Sequence, residues 1–188
     1  MFFARETDCV ILAEGIESGS ELETLRLLGQ AIELRHARPK LVKAVIGVEP
    51  SGPPFENAII GTGKSRAWGP ADIKLTYDPP VNDPKEIEVV RDEKADGPDL
   101  FVCWMQKAPA RQLVNLKNIP AVIIAGEASY HQLYDHCTAK YLNQAGMKTE
   151  WLPLQKAGIR GNGHMVMIEK NNLQIAKVID DWVKKNVK

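Results

Sequence analysis

The chain reads as an α/β protein: a mostly parallel β-sheet with helices on both faces and one long insertion. Three observations predict it. Apolar runs of strand length stand at residues 9–13, 43–48 and 116–125, with a shorter one at 150–153. Stretches with helical spacing of apolar residues lie between and after them, and the two patterns alternate along the chain. Such alternation gives parallel strands joined by right-handed crossovers. At 188 residues the chain fits a single domain with room for a core.

Residues 9–13, Cys-Val-Ile-Leu-Ala, form an uninterrupted apolar run, as a strand buried on both faces requires. Residues 14–20 are polar with two glycines and predict a turn. Ser20, with Glu23 three residues on, forms a capping box. The helix it opens carries Leu22, Leu25, Leu28, Ile32 and Leu34 and ends before Pro39. His36, near that end, is expected in solvent facing the helix dipole. Residues 43–48, Lys-Ala-Val-Ile-Gly-Val, give the next strand, and a proline-stiffened turn beginning at Glu49 follows directly.

From residue 55 to 107 prolines recur, and Trp68, Tyr77 and Trp104 stand among charges. This composition predicts a cap-like insertion with little regular structure, a lid or binding loop, and a short helix over 100–106. The aromatic residues suit an acyl pocket or plain burial, and burial is the expectation. Residues 116–125 predict a strand with Pro120 near its start, where no ladder donor is needed. A helix over 134–145 is closed by Gly146. The strand at 150–153 leads through a glycine-rich loop to a helix over 172–186, with Ile175, Val178, Ile179, Trp182 and Val183 on one face.

The charge balance excludes some functions. With 24 basic and 24 acidic residues the net charge is +0, so nothing favours nucleic acid or an anionic membrane surface. No apolar run reaches membrane-spanning length, and the apolar start is followed at once by Arg5, Glu6 and Asp8, unlike a secretory signal. A cytoplasmic location is the default expectation. Cys9, Cys103 and Cys137 are odd in number and far apart, which predicts neither a disulfide framework nor a zinc motif. No His/Cys/Asp cluster has ligand spacing, so no metal or cofactor is expected.

Residues 158–172, Gly-Ile-Arg-Gly-Asn-Gly-His-Met-Val-Met-Ile-Glu-Lys-Asn-Asn, carry the clearest chemical signal. They have neither helical nor strand period. Gly161 and Gly163 let the backbone turn sharply before His164, and Met165 to Ile168 anchor it behind. An imidazole presented this way suits proton transfer near neutral pH, and equally a hydrogen bond to a nearby carbonyl. Glu49 sits at the C-terminal end of a buried strand, a common place for a functional acid in an open α/β sheet. It suits a turn residue capping a backbone amide as well.

Three stretches together resemble a known family: residues 37–55 with Val-Glu-Pro-Ser-Gly, residues 119–131 with Ala-Gly-Glu-Ala-Ser-Tyr-His, and residues 161–172 with Gly-Asn-Gly-His-Met. They are similar to the C-terminal part of the α/β-hydrolase superfamily, in its esterase- and lipase-like group. The resemblance implies a partial α/β-hydrolase fold and carboxylic ester hydrolysis by a serine nucleophile, a histidine base and an orienting carboxylate. It assigns the base to His164 and the acid to Glu49, with Glu127 as second choice. His131, Tyr134, Asp135 and His136 lie in the loop that holds Glu127 and in the helix start after it, where they suit a pocket lining or surface hydrogen bonds, and surface hydrogen bonding is the expectation.

The nucleophile departs from the family pattern. Its Gly-x-Ser-x-Gly or His-Ser-Gln-Gly-Gly elbow falls, by count, near Leu25, among Thr24, Arg26, Leu27 and Leu28, where no residue replaces a serine. Ser18 and Ser20 lack the flanking glycines at the right spacing. The strands that would precede the elbow and supply half an oxyanion hole are not in the sequence. The expectation is therefore a single truncated hydrolase domain, catalytically impaired. The alternatives are a working esterase using Ser18 or Ser20, and a non-catalytic ligand-binding or interaction module. A small ester or apolar ligand is the expected partner, with self-association through an exposed sheet edge.

Overall fold

In chain order the strands are β1 (Phe2–Arg5), β2 (Asp8–Glu14), β3 (Val42–Val48), β4 (Tyr77–Asp78), β5 (Val89–Arg91), β6 (Trp104–Gln106), β7 (Gln112–Leu113), β8 (Pro120–Ala125) and β9 (Lys148–Pro153). The helices are α1 (Leu27–Ala37), α2 (Asp135–Gln144) and α3 (Asn172–Asn186). The computed structural model describes residues 2–5, 8–14, 27–50, 52–58 and 63–187. The capping box at Ser20 and Glu23, and the candidate nucleophiles Ser18 and Ser20, lie outside them.

The main sheet has the order β1-β2-β3-β8-β9. Its last four strands run parallel, and β1, which the sequence did not announce, pairs antiparallel with β2 at the edge. The apolar runs become strands because both faces are covered. Val45, Ala121 and Ile123 point to one face, with Ala31 and Ile32 of α1 and Tyr141 and Leu142 of α2. Ala44, Ile46, Val48, Val122 and Ile124 point to the other, against Ile175 and Trp182 of α3. The α/β class with a mostly parallel sheet is thus the observed one.

Element boundaries follow local chemistry. Helix α2 stops at Gly146, whose φ of 96° suits glycine, and the Met147 N–H returns to the Leu142 carbonyl at 2.9 Å. Helix α3 has the expected bounds, and its Trp182 indole N–H donates to Glu150 Oε2 at 2.9 Å. In α1, Ile32 is buried, but Leu34 is exposed rather than on the core face. His36 is half-buried against Asn115 rather than free in solvent, its ring Nδ1 lying 3.3 Å from the Asn115 amide.

The segment between β3 and β8 is more regular than expected. Two small antiparallel ladders form, β4 with β7 and β5 with β6. The helix predicted over 100–106 is absent. Residues 104–106 are strand, because Val89–Arg91 offers a partner and Gln144 grips the Gln106 backbone from both sides, at 2.9 Å each. Trp68 and Tyr77 are buried in the same cluster as Tyr141, and Trp104 packs against it, as the burial expectation has it.

The cysteine expectation is corrected. Cys103, just before β6, is bonded to Cys137 in α2. An odd count does not forbid one bridge, and folding brings together positions 34 apart in sequence. Among the described residues no helix is long and apolar enough to cross a membrane.

Candidate active site

The parallel strands end together. In register, Glu14 lies beside Val48, Val48 beside Ile124, and Ala125 beside Pro153. The loops after β3, β8 and β9 therefore gather at the C-terminal edge of the sheet, where open α/β proteins build their sites. Glu49 begins the first of these loops, with a φ of 51°, a left-handed backbone that a non-glycine residue adopts at some cost. Its N–H is held by the Ile124 carbonyl at 2.8 Å. The side chain, 1 % exposed, accepts from the Gly126 N–H and the Ser129 hydroxyl. These donors compensate for taking a carboxylate out of water.

The third donor is His164. Its Nδ1 lies 3.2 Å from Glu49 Oε2. With the proton on Nδ1, the ring donates to Glu49, and Nε2 carries the free lone pair. Nε2 is buried and has no hydrogen-bond partner among the described residues. That is the arrangement of an oriented general base.

The loop that presents His164 is cross-braced. Gly161 turns it with a φ of 75°. The amides of Asn162 and Asn171 bond reciprocally at 2.7 and 3.0 Å, which ties the loop to the start of α3. The Gly163 N–H reaches Glu169 Oε1 at 3.0 Å. On the other side the Ala128 N–H donates to the Asn162 carbonyl at 2.9 Å. Gly126 is required for this approach: a Cβ there would meet the Asn162 carbonyl carbon at 2.9 Å and the Gly163 oxygen at 3.0 Å.

Glu127, the second-choice acid, is elsewhere. It binds Arg160 at 2.9 Å and the Gly161 N–H at 3.0 Å, and so holds the start of the histidine loop instead of the imidazole.

The expectation that His131, Tyr134, Asp135 and His136 lie on the surface is overturned: all four are buried. The His131 ring stacks on His164, with centroids 4.6 Å apart and planes 4° from parallel. Its Nδ1 lies 3.1 Å from Asp135 Oδ2, and the Tyr134 hydroxyl is 3.2 and 3.3 Å from its two nitrogens. Burial pushes the Asp135 carboxyl well above the ordinary carboxylate range, and the Glu49 charge adds to this while His164 opposes it. A protonated Asp135 donates to His131 Nδ1, which leaves the His131 Nε2–H toward Glu49 Oε2, 4.0 Å away. The sequence signal that could have found this dyad is the i, i+4 spacing of His131 and Asp135 across the start of α2.

Folding also gathers metal-ligand types that sequence spacing did not show: Glu49, His131 and His164; Cys103, His136 and Cys137; and Asp92, Asp96 and Cys103. In the first group the imidazoles are stacked in parallel, so their in-plane lone pairs run side by side and do not converge on one ion. That group suits hydrogen bonding and proton transfer better than metal ligation.

No family model matches the chain. It is 42% identical over 150 residues to a protein named "Probable secreted lipase phiG" from Fungal sp. (strain ATCC 74256), a match covering 79% of this chain and 41% of that protein. In fold it is similar to the structure titled "The Atomic Resolution Structure of a Novel Bacterial Esterase", with a TM-score of 0.51 at 18% identity, over 97% of this chain and 39% of that one. The chain thus spans about two fifths of the length of each. By sequence the chain is similar to a protein named a lipase, and its fold is similar to that of an esterase.

Proposed function

We propose that the chain carries the acid–base half of a carboxylic-ester hydrolase site, with His164 as general base oriented by Glu49, and that it is catalytically impaired because its sequence has no recognisable serine nucleophile elbow. One observation carries this reading: His164 Nδ1 bonded to the buried Glu49, with Nε2 buried and unpartnered among the described residues. In a complete site Nε2 takes the proton of a serine hydroxyl as that oxygen attacks the ester carbonyl, and Glu49 stabilises the imidazolium that results. Ser129 cannot serve, because its hydroxyl is committed to Glu49. The segment at 55–107 is the cap-like element that selects the acyl group. The disulfide, together with the word "secreted" in the relative's name, favours an oxidising compartment over a cytoplasmic one.

A second reading has its own support. The chain leaves β2 at Glu14, in register with Val48 and so beside Glu49, and Ser18 and Ser20 follow in the next few residues. Either would make the chain a working esterase. Labelling with a fluorophosphonate probe and peptide mapping, on wild type and His164→Ala, separates the readings. No serine adduct in either chain is the expected result. An adduct on Ser18 or Ser20 that His164→Ala abolishes would overturn the impairment and keep the base. An adduct equal in both chains would overturn the base as well.

A further inference from the structure

The second cluster of ligand-type side chains lies away from Glu49 and His164, where the segment before β6 meets the first turn of α2. His136 Nε2 is 3.3 Å from Cys103 Sγ and 3.4 Å from Cys137 Sγ. Asp96 Oδ2 is 3.9 Å from the same nitrogen and 4.0 Å from Cys103 Sγ. A zinc ion with thiolate, imidazole and carboxylate ligands at about 2.0 to 2.3 Å sets its donor atoms about 3.3 to 3.8 Å apart at the corners of a tetrahedron. The nitrogen–sulfur separations already have that spacing, and the carboxylate oxygen stands slightly outside it. Only the two sulfurs are joined directly.

We propose that, when the Cys103–Cys137 bond is reduced, the two thiolates, His136 Nε2 and Asp96 Oδ2 form a four-coordinate site for zinc or a similar divalent cation. The pair then alternates between a disulfide staple and a metal–thiolate clasp that joins the same two segments. Reduction adds two electrons and two protons, supplied by an external dithiol that is itself oxidised to its disulfide. The cation binds without change of valence and releases the two thiol protons to solvent.

The surroundings suit this site. Cys103, Cys137 and His136 are buried, so three of the donors are shielded from water. Asp96 is 43% exposed and gives the cation a way in. Lys140 Nζ holds Asp96 Oδ1 at 2.8 Å and Asp92 Oδ2 at 2.7 Å, and its contact to Asp96 Oδ2, at 2.9 Å, is the one the cation replaces. The retained bond to Oδ1 orients the carboxylate toward the cation.

Cobalt(II) is the probe. The full chain is titrated in its oxidised form, and after reduction with a phosphine under anaerobic conditions, with far-UV circular dichroism recorded alongside. The reduced wild type should bind one cobalt per chain, with a thiolate-to-cobalt charge-transfer band and the intense visible bands of tetrahedral geometry. The oxidised chain should give neither. His136→Ala and Asp96→Ala should each weaken binding about tenfold or more. Binding without a charge-transfer band, equal binding by the oxidised chain, or unchanged affinity in His136→Ala would overturn the proposal. A reduced chain that unfolds and does not recover its dichroism with zinc would overturn it too.

Discussion

Glu49 and Asp135 are two buried carboxyls with different surroundings. Glu49 receives a backbone N–H, a hydroxyl and an imidazole. Asp135, 0 % exposed, is bonded to His131 at Oδ2 only, and its Oδ1 has no partner among the described residues. Its folded pKa is raised above the unfolded value of about 3.9. Between those two values the folded chain keeps a proton that the unfolded chain has lost, so this carboxyl costs stability as the pH rises. Asp135→Asn keeps the shape without the ionisation. In urea melts, its stability relative to wild type should therefore grow with pH from about 4 upward. A difference that stays flat or shrinks would mean that Asp135 is ionised against a charged His131. Nothing in the sequence separated these two acids, because their surroundings depend on which donors the fold supplies.

At the scale of elements, the long apolar stretches were legible and the short polar ones were not. β3, β8 and α3 announce themselves because their side chains must leave water whatever surrounds them. β6 does not, since Trp104–Gln106 is extended only through its ladder with β5 and its bonds to Gln144. The glycine-rich loop showed its histidine but not its braces, for Asn162 meets Asn171 only once α3 is in place. Gly126 joins this loop to the end of β8, and Gly126→Ala pushes a methyl into the Asn162 backbone. The expected cost is about 3 kcal/mol, at the upper end of ordinary point mutations. A loss below about 1 kcal/mol in equilibrium unfolding would show that the loop can move aside.

At the scale of the whole molecule, the disulfide is the only covalent cross-link found among the described residues between the inserted segment and the sheet–helix framework. Closing a loop of 34 residues stabilises a fold by about 3 to 4 kcal/mol through the unfolded chain. The Cys103→Ser, Cys137→Ser double variant should lose about that much in urea unfolding. A loss near zero would mean that the Tyr141, Phe55 and Trp68 cluster alone holds the segment in place. The sequence carried the α/β class, and it singled out His164 and Glu49 as candidates through a glycine-led loop, a strand end and the family resemblance. The stacking of His131 on His164 and the Cys103–Cys137 bond were out of its reach, since each joins partners distant in the chain.

The Glu49–His164 pair is tested most directly by proton NMR of the exchangeable imidazole protons in histidine-labelled protein. The wild type should show a far-downfield Nδ1–H signal, assigned to His164 by its absence from His164→Gln, that moves upfield or vanishes in Glu49→Gln. No such signal, or one unchanged in Glu49→Gln, would mean that Glu49 does not orient His164 and that the chain holds no acid–base pair at this edge of the sheet.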